Sequence, residues 1–284
     1  MPLLFAGFSA LSFGIADFLG GIAAKRWPPE WVTATAQAVG LPIVFPLLLA
    51  MPGALPEAGV LGWGAVAGLT AGMGIMLLYR SLAMGPMNVA APTAAVVATI
   101  VPVTTGLILG ERPGTLALLG VACGIVAVGM VGAAAPALEG HGRSHAHALR
   151  TGLVAVGAGA GLGAAAVAFG QTAPSAGMWP LAAGRVVATA LMLALGTLRG
   201  GRTGGDRGPA VRLSVWSGLI DTGGSVFLLL ALQRGLLTLV PVISSLYPAA
   251  TLFLARLVLR ERIGRIQAVG LGLAAVAVVL IGMS

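Results

Sequence analysis

The chain is poor in what a water-soluble protein puts on its surface. Charged residues make up 8% of its 284 positions and aromatic residues 5%, and there is one cysteine, Cys123. A lone cysteine excludes a disulfide within the chain. So little charge, beside 58% hydrophobic residues and a mean hydropathy of +1.01, excludes a soluble domain, which could not bury that much apolar surface. The alternation of a β-barrel is missing, and the apolar runs are too long for barrel strands. No Gly-Lys-Ser/Thr element follows the glycine-rich segment 157–163, so that segment reads as a helix-packing surface and not a phosphate loop. The net charge of +8 does not mark nucleic-acid binding, because the basic residues are scattered through short loops, as membrane orientation requires. Met1–Ala24 lacks a basic leader and reads as a first span, not a cleaved signal peptide. What the chain has in abundance is small: 44 glycines amid much alanine, which lets helix backbones approach closely in lipid.

A crossing takes about 20 apolar residues. On that measure ten spans are expected, at 3–24, 31–50, 60–79, 89–109, 115–134, 151–171, 178–198, 213–233, 237–259 and 266–283. A polar linker, 135–150, divides them five and five. Its His141, His145 and His147 have only Glu139 nearby as an oxygen ligand and read as incidental loop residues, not a metal site. Tryptophans 27, 31, 63, 179 and 216 fall near span ends, where an aromatic belt accounts for them.

The two sets of five are copies. Residues 68–132 overlay 218–282 without a gap, at an offset of 150. Gly68, Leu69 and Gly74 fall on Gly218, Leu219 and Gly224, and Glu111-Arg112 falls on Glu261-Arg262. Matches of glycine and leucine carry little weight in this composition, whereas the Glu-Arg pair carries much. The expected fold is therefore an all-α membrane protein of ten transmembrane helices, built as two inverted five-helix repeats, 1–134 and 151–284. An odd number of spans per copy inverts the second copy and sends Glu111 and Glu261 to opposite faces. Thirteen of the sixteen basic residues fall in or beside the odd-numbered loops, which places those loops in the cytoplasm and both termini outside.

Ser245-Leu246-Tyr247-Pro248-Ala249-Ala250, running on through Leu257-Val258-Leu259-Arg260-Glu261-Arg262-Ile263, resembles the drug/metabolite transporter superfamily, specifically its ten-helix EamA-like members. The likeness is to the Pro-initiated fourth helix of a repeat, ending in leucine-rich residues and Gly-Glu-Arg. The first copy keeps Leu109-Gly110-Glu111-Arg112 but has Ala98 where the second has Pro248, and the second has Arg260 where the first has Gly110. The resemblance implies a central cavity lined by spans 1–4 and 6–9, with spans 5 and 10 peripheral. It also implies export of amino acids, sugars, drugs or other metabolites, in many members by exchange or proton coupling.

Three ionisable groups stand well inside apolar spans: Asp17, Arg185 and Asp221. Each costs about 2.5–3.5 kcal/mol at mid-bilayer on an isolated helix, so each should face the bundle interior, paired or wetted. One reading makes them a cavity, with Asp17 or Asp221 taking a cation or proton and Arg185 taking a carboxylate or phosphate. The other makes them a structural pair, Arg185 with Asp17 or Asp221. Arg185, Asp221, Tyr247, Ser244, Ser245, Gln37 and Gln171 form the expected substrate-binding set, and Asp17 and Asp221 the expected coupling groups. Gln233, Ser225, Asn88 and Thr93 are further polar candidates, each of which could instead satisfy a helix backbone. Pro248 frees a carbonyl near Ser244, and such broken points can line cavities. Glu111 and Glu261 read as caps or pairs at the turns after spans 4 and 9. Asp221 falls on Ala71 and Tyr247-Pro248 on Val97-Ala98, so the breaks in the repeat are where the cargo is sought.

The expected protein is a secondary transporter and not an enzyme: an exporter of small polar metabolites such as amino acids, working by alternating access in a bacterial inner (plasma) membrane. Its expected partners are a small-molecule substrate, the bilayer and protons, with no nucleic acid and no cofactor, as a monomer or homodimer. The alternatives are a channel, which would show a continuous polar stripe, and a membrane-embedded enzyme, which would cluster nucleophiles or metal ligands at one depth. Orientation is directly testable. In a Cys123→Ser background, Gly142→Cys should react with an impermeant maleimide only after the cells are opened; labelling of intact cells reverses the assignment.

Overall fold

Proline and glycine decide where these helices start, stop and touch. The computed structural model describes residues 1–50, 56–85, 87–133, 145–199, 207–259 and 264–283. Its helices are α1 (Pro2–Ala24), α2 (Pro29–Ala50), α3 (Ala58–Met84), α4 (Met87–Ile108), α5 (Thr115–Ala133), α6 (His145–Gly170), α7 (Trp179–Leu198), α8 (Gly208–Leu232), α9 (Val240–Ser244), α10 (Tyr247–Leu259) and α11 (Arg265–Gly282). There is no strand among the described residues. Among the described residues eight helices, α1–α4, α6–α8 and α11, are long and apolar enough to cross a membrane, and α5 carries a shorter apolar stretch, Thr115–Met130. Leu4, Phe8, Leu119, Leu153, Val269 and Val276 are exposed on the outside of the bundle, as lipid-facing residues are.

Two expectations need correction. The ninth span is not one helix over 237–259 but two, with a turn at Ser245 and Leu246. Pro248 has no N–H to give the Ser244 carbonyl, and its ring would clash there, so the helix ends and restarts with Pro248 in its first turn. The first copy has Ala98 at that place, and α4 runs unbroken through it. The second correction is at the linker, where α6 begins at His145, ahead of Thr151. His147 Nε2 donates to the Met84 carbonyl at 3.0 Å, tying the start of α6 to the end of α3. His141 and Glu139 lie outside the described residues.

The halves pack on each other more than on themselves. α1 lies on α8, and α3 on α6; α3 also packs on α7, and α2 on both α7 and α8. Exchanging the halves turns the α1–α8 contact into α6–α3, and α2–α8 into α7–α3, so the packing has an approximate two-fold symmetry. α5 and α11 pair with each other at the edge. Matching helices run in opposite directions. Glu30 and Trp31, at the start of α2, meet Arg199 and Gly196 at the end of α7, while Gln37 meets Arg185 further along. Gly120 of α5 lies against Ile281, and Gly124 against Ala277, so α5 and α11 are antiparallel too.

Four glycines of the repeat sit where the halves cross. A Cβ on Gly68 would stand 2.5 Å from the Gly184 Cα, and one on Gly218 would stand 2.6 Å from the Ala36 Cα. Gly74 presses on the Leu162 nitrogen of α6, and Gly224 on Ser12 and Phe13 of α1. Position 162 is position 12 shifted by the repeat, so these are two copies of one contact. Neither Gly68 nor Gly218 can accept a side chain without parting two backbones. Gly68→Leu and Gly218→Leu should each lower stability by about 1–3 kcal/mol or more, the usual range for overpacking, whereas Gly59→Leu, with open space at its Cβ, should be neutral. Thermal melting of detergent-purified protein reads all three; equal melting temperatures would refute the contact.

Candidate functional site

The crossings at Gly68–Gly184 and Gly218–Ala36 place their chain neighbours side by side. Arg185 follows Gly184, Gln37 follows Ala36, and Asp221 stands one turn from Gly218 on the same face of α8. Arg185 crosses from α7 to α8 and α2. Its Nη1 donates to Gln37 Oε1 at 2.7 Å, and its Nη2 to Asp221 Oδ2 at 2.6 Å and Ser225 Oγ at 2.9 Å. Gly40 leaves room for it, since a Cβ there would stand 3.2 Å from Arg185 Nε and 2.6 Å from Thr222 Oγ1. The guanidinium is buried, 2% exposed, and the Asp221 carboxylate 8%. Withdrawing two ions from water is costly, and the network tolerates it because the guanidinium finds a carboxylate, an amide and a hydroxyl together.

Beside this network lies a cavity of about 100 Å³. Its polar wall is Asp17 on α1, Asp221 and Ser225 on α8, Ser244 on α9, Ser245 in the break and Tyr247 at the start of α10; the opposite wall is apolar, with Ile75, Leu162 and Phe169. Ala71, the repeat partner of Asp221, lines it as well. Arg185 and Gln37 line a smaller neighbouring cavity of about 40 Å³, which shares Ala71, Ile75, Phe169 and Ser225 with the larger one. The helix break thus faces the cavity, and α2 and α7 stand behind it.

Of the expected binding set, Arg185, Gln37 and Asp221 are brought together by hydrogen bonds, and Ser244, Ser245 and Tyr247 join Asp17 and Asp221 on the cavity wall. Gln171 does not join them. Helix α6 ends at Gly170, one residue short of the expected span, and Gln171 is exposed in the turn beyond. Gln233 bonds the Gly177 carbonyl at 3.2 Å and so serves a backbone. The Asn88 side chain lies outside the described residues.

Tyr79 was not singled out in the sequence. It is 1% exposed and bonds Ser217 Oγ at 3.0 Å, while Ser217 donates to the Ala16 carbonyl beside Asp17. A Cβ on Gly20 would run into the Tyr79 ring, so that glycine was the available signal.

Glu111 also departs from its expected role as a local cap. After α4 the chain turns through Gly110, whose φ of +95° suits glycine. The Gly110 N–H bonds Leu107 O, and the Glu111 N–H bonds Gly106 O, a paired closure that satisfies the last carbonyls. The turn aims the Glu111 carboxylate at the other half, where it accepts from the Leu237 and Thr238 N–H groups at 2.7 and 2.8 Å. Those donors precede α9 and have no carbonyl of their own helix to bond. Glu261 lies outside the described residues.

These loop contacts sort by face. The starts of α2 and α6 meet the ends of α7 and α3, while the turn after α4 and the turn before α7 meet the segment between α8 and α9. Odd-numbered turns touch odd, and even touch even, as in a chain that threads back and forth.

The family model for the EamA-like transporter family matches residues 1–133 and again 150–283. The chain belongs to that family. Its two matches coincide with the two halves that pack antiparallel around the cavity. A solved crystal structure of a protein covers 97% of this chain and 98% of its own length, with a TM-score of 0.71 and 18% identity, which shows a shared fold. No curated protein matches the chain at a significant level. As an EamA-like membrane transporter fold, the chain is an integral, multi-pass protein.

Removing one ion of the buried pair leaves the other uncompensated. Asp221→Leu should cost about 3–5 kcal/mol of stability, and the double variant Arg185→Met/Asp221→Leu should regain most of that loss. Melting curves of wild type, both single variants and the double variant form the cycle; additive losses would mean that the two residues do not act as a pair.

Proposed function

We propose that this EamA-like chain is a secondary transporter of a small polar metabolite, amino acids included, that works by alternating access. The observation that carries the reading is the meeting of two matching, antiparallel halves around a buried cavity whose polar groups come from both. Ten crossings fit the pattern, with α9 and α10 together making the ninth and α5 the fifth. The alternation of loop contacts between two faces supports the inverted arrangement of the repeats.

Arg185, behind the cavity, and Asp221, on its wall, hold α7, α8 and α2 together, while Asp17, Ser244, Ser245 and Tyr247 meet the cargo. Asp17 and Asp221 are the carboxylates available to couple transport to protons. The break at Ser245 and Leu246 brings irregular backbone to the cavity wall, with the Ser245 and Leu246 N–H groups still bonded to the Pro241 and Ile243 carbonyls. At membrane depth such backbone is tolerated where it is buried in protein or lines a cavity. Export across the inner membrane of a bacterium, as a monomer or homodimer, completes the reading.

Proteoliposome counterflow tests it. Uptake of labelled solute against a preloaded excess should saturate and should be accelerated by the trapped solute. Flux that stays linear far past millimolar concentrations would make the chain a channel, and absence of counterflow across a broad metabolite panel would refute transport.

A further inference from the structure

The charges facing the cavity do not balance. Asp17 and Asp221 both line it, while the one nearby cation among the described residues, Arg185, stands behind it in the smaller cavity. Arg185 is committed to Asp221, Gln37 and Ser225. Asp17 makes no hydrogen bond or ion pair with any described residue, yet it is 7% exposed. Ser244 Oγ is also buried on the cavity wall without a partner. Ser9 Oγ, Trp27 Nε1, Trp31 Nε1, Thr33 Oγ1, Thr189 Oγ1 and Thr238 Oγ1 are buried without a partner among the described residues too, but none of them lines the cavity. Asp17 and Ser244 stand where a ligand can reach them, and a buried carboxylate gains from a charged partner there. Apart from Ser225, Ser245 and the Tyr247 hydroxyl the rest of the lining is apolar, and Phe13, one helical turn from Asp17, lines it with Phe169 and Tyr247. Ring faces attract cations and exclude anions.

Resting on the transporter reading above, and narrowing its cargo so that amino acids fall outside it, we propose that the cargo is an organic ammonium ion with an apolar body and no carboxylate. Its ammonium group sits on Asp17 and donates to Ser244 Oγ, and its hydrocarbon part lies among Phe13, Ile75, Leu162 and Phe169. A zwitterionic amino acid would bring a carboxylate into a cavity that already holds two and, among the described residues, offers it no free cation. An inorganic cation would need several oxygen ligands at once, where this wall offers one unpaired carboxylate and scattered hydroxyls among hydrocarbon.

Isothermal titration of the detergent-purified full chain with three compounds that share one ring makes the test: phenethylammonium chloride, L-phenylalanine and 3-phenylpropionate, with sodium chloride as the control. Phenethylammonium should bind, phenylalanine should bind at least tenfold more weakly, and phenylpropionate and sodium should not bind. Asp17→Asn should lose at least tenfold affinity for the amine with little change in melting temperature, because Asp17 supports no other residue. Ser244→Ala should lose severalfold. Equal or tighter binding of phenylalanine or phenylpropionate, binding of sodium without the amine, unchanged amine affinity in Asp17→Asn, or no binding of any compound would overturn the assignment. Counterflow of some other solute in that event would leave the transporter reading standing, whereas amine binding without counterflow of any solute would uphold the site and refute transport.

Discussion

Backbone-to-backbone contact at two glycines sets the geometry of this molecule. Lipid offers no hydrophobic drive for helices to associate, so close packing and polar pairing must do it. Gly68 on Gly184 and Gly218 on Ala36 supply the packing. The polar pairing follows in the next residue or the next turn: Arg185, Gln37 and Asp221 reach one another because the backbones beneath them are in contact. A side chain at either crossing would separate the helices and stretch bonds of 2.6 and 2.7 Å beyond use. Steric and electrostatic terms are therefore not independent here.

The sequence made the large plan legible for reasons that are mostly about lipid. Apolar length fixes spans, and the 150-residue offset fixes the number of copies. Charge at mid-span is so costly that Asp17, Arg185 and Asp221 stood out, and the structure draws all three to the interior. The breaks in the repeat were informative as well: Asp221 and Ala71 share one cavity wall, and Pro248 ends a helix that Ala98 lets pass.

What stayed hidden is equally physical. Glycine matches were discounted because glycine is common, yet Gly68, Gly74, Gly218 and Gly224 are the crossings themselves; frequency in a composition says nothing about which copies touch. Glu111 looked like a local cap because its partners, the amides of Leu237 and Thr238, lie 126 and 127 residues away and backbone donors carry no signature. Tyr79 was one aromatic residue inside an apolar run. Gln171 was misjudged because an error of one residue at a helix end decides whether a side chain faces the bundle or the turn.

The interleaving of the halves has a consequence for how the protein is made. Helix α1 leans on α8, and α3 leans on α6 and α7, so the first half enters the bilayer before the surfaces it packs against exist. Gln37 precedes its partner Arg185 by 148 residues, and Asp17 is synthesised long before the far wall of its cavity. Throughout that interval the insertion machinery and the lipid must shelter an unpaired carboxylate and several bare glycine faces. The nascent chain thus carries its least lipid-compatible surfaces first, and assembly begins in earnest only when the second copy arrives to cover them.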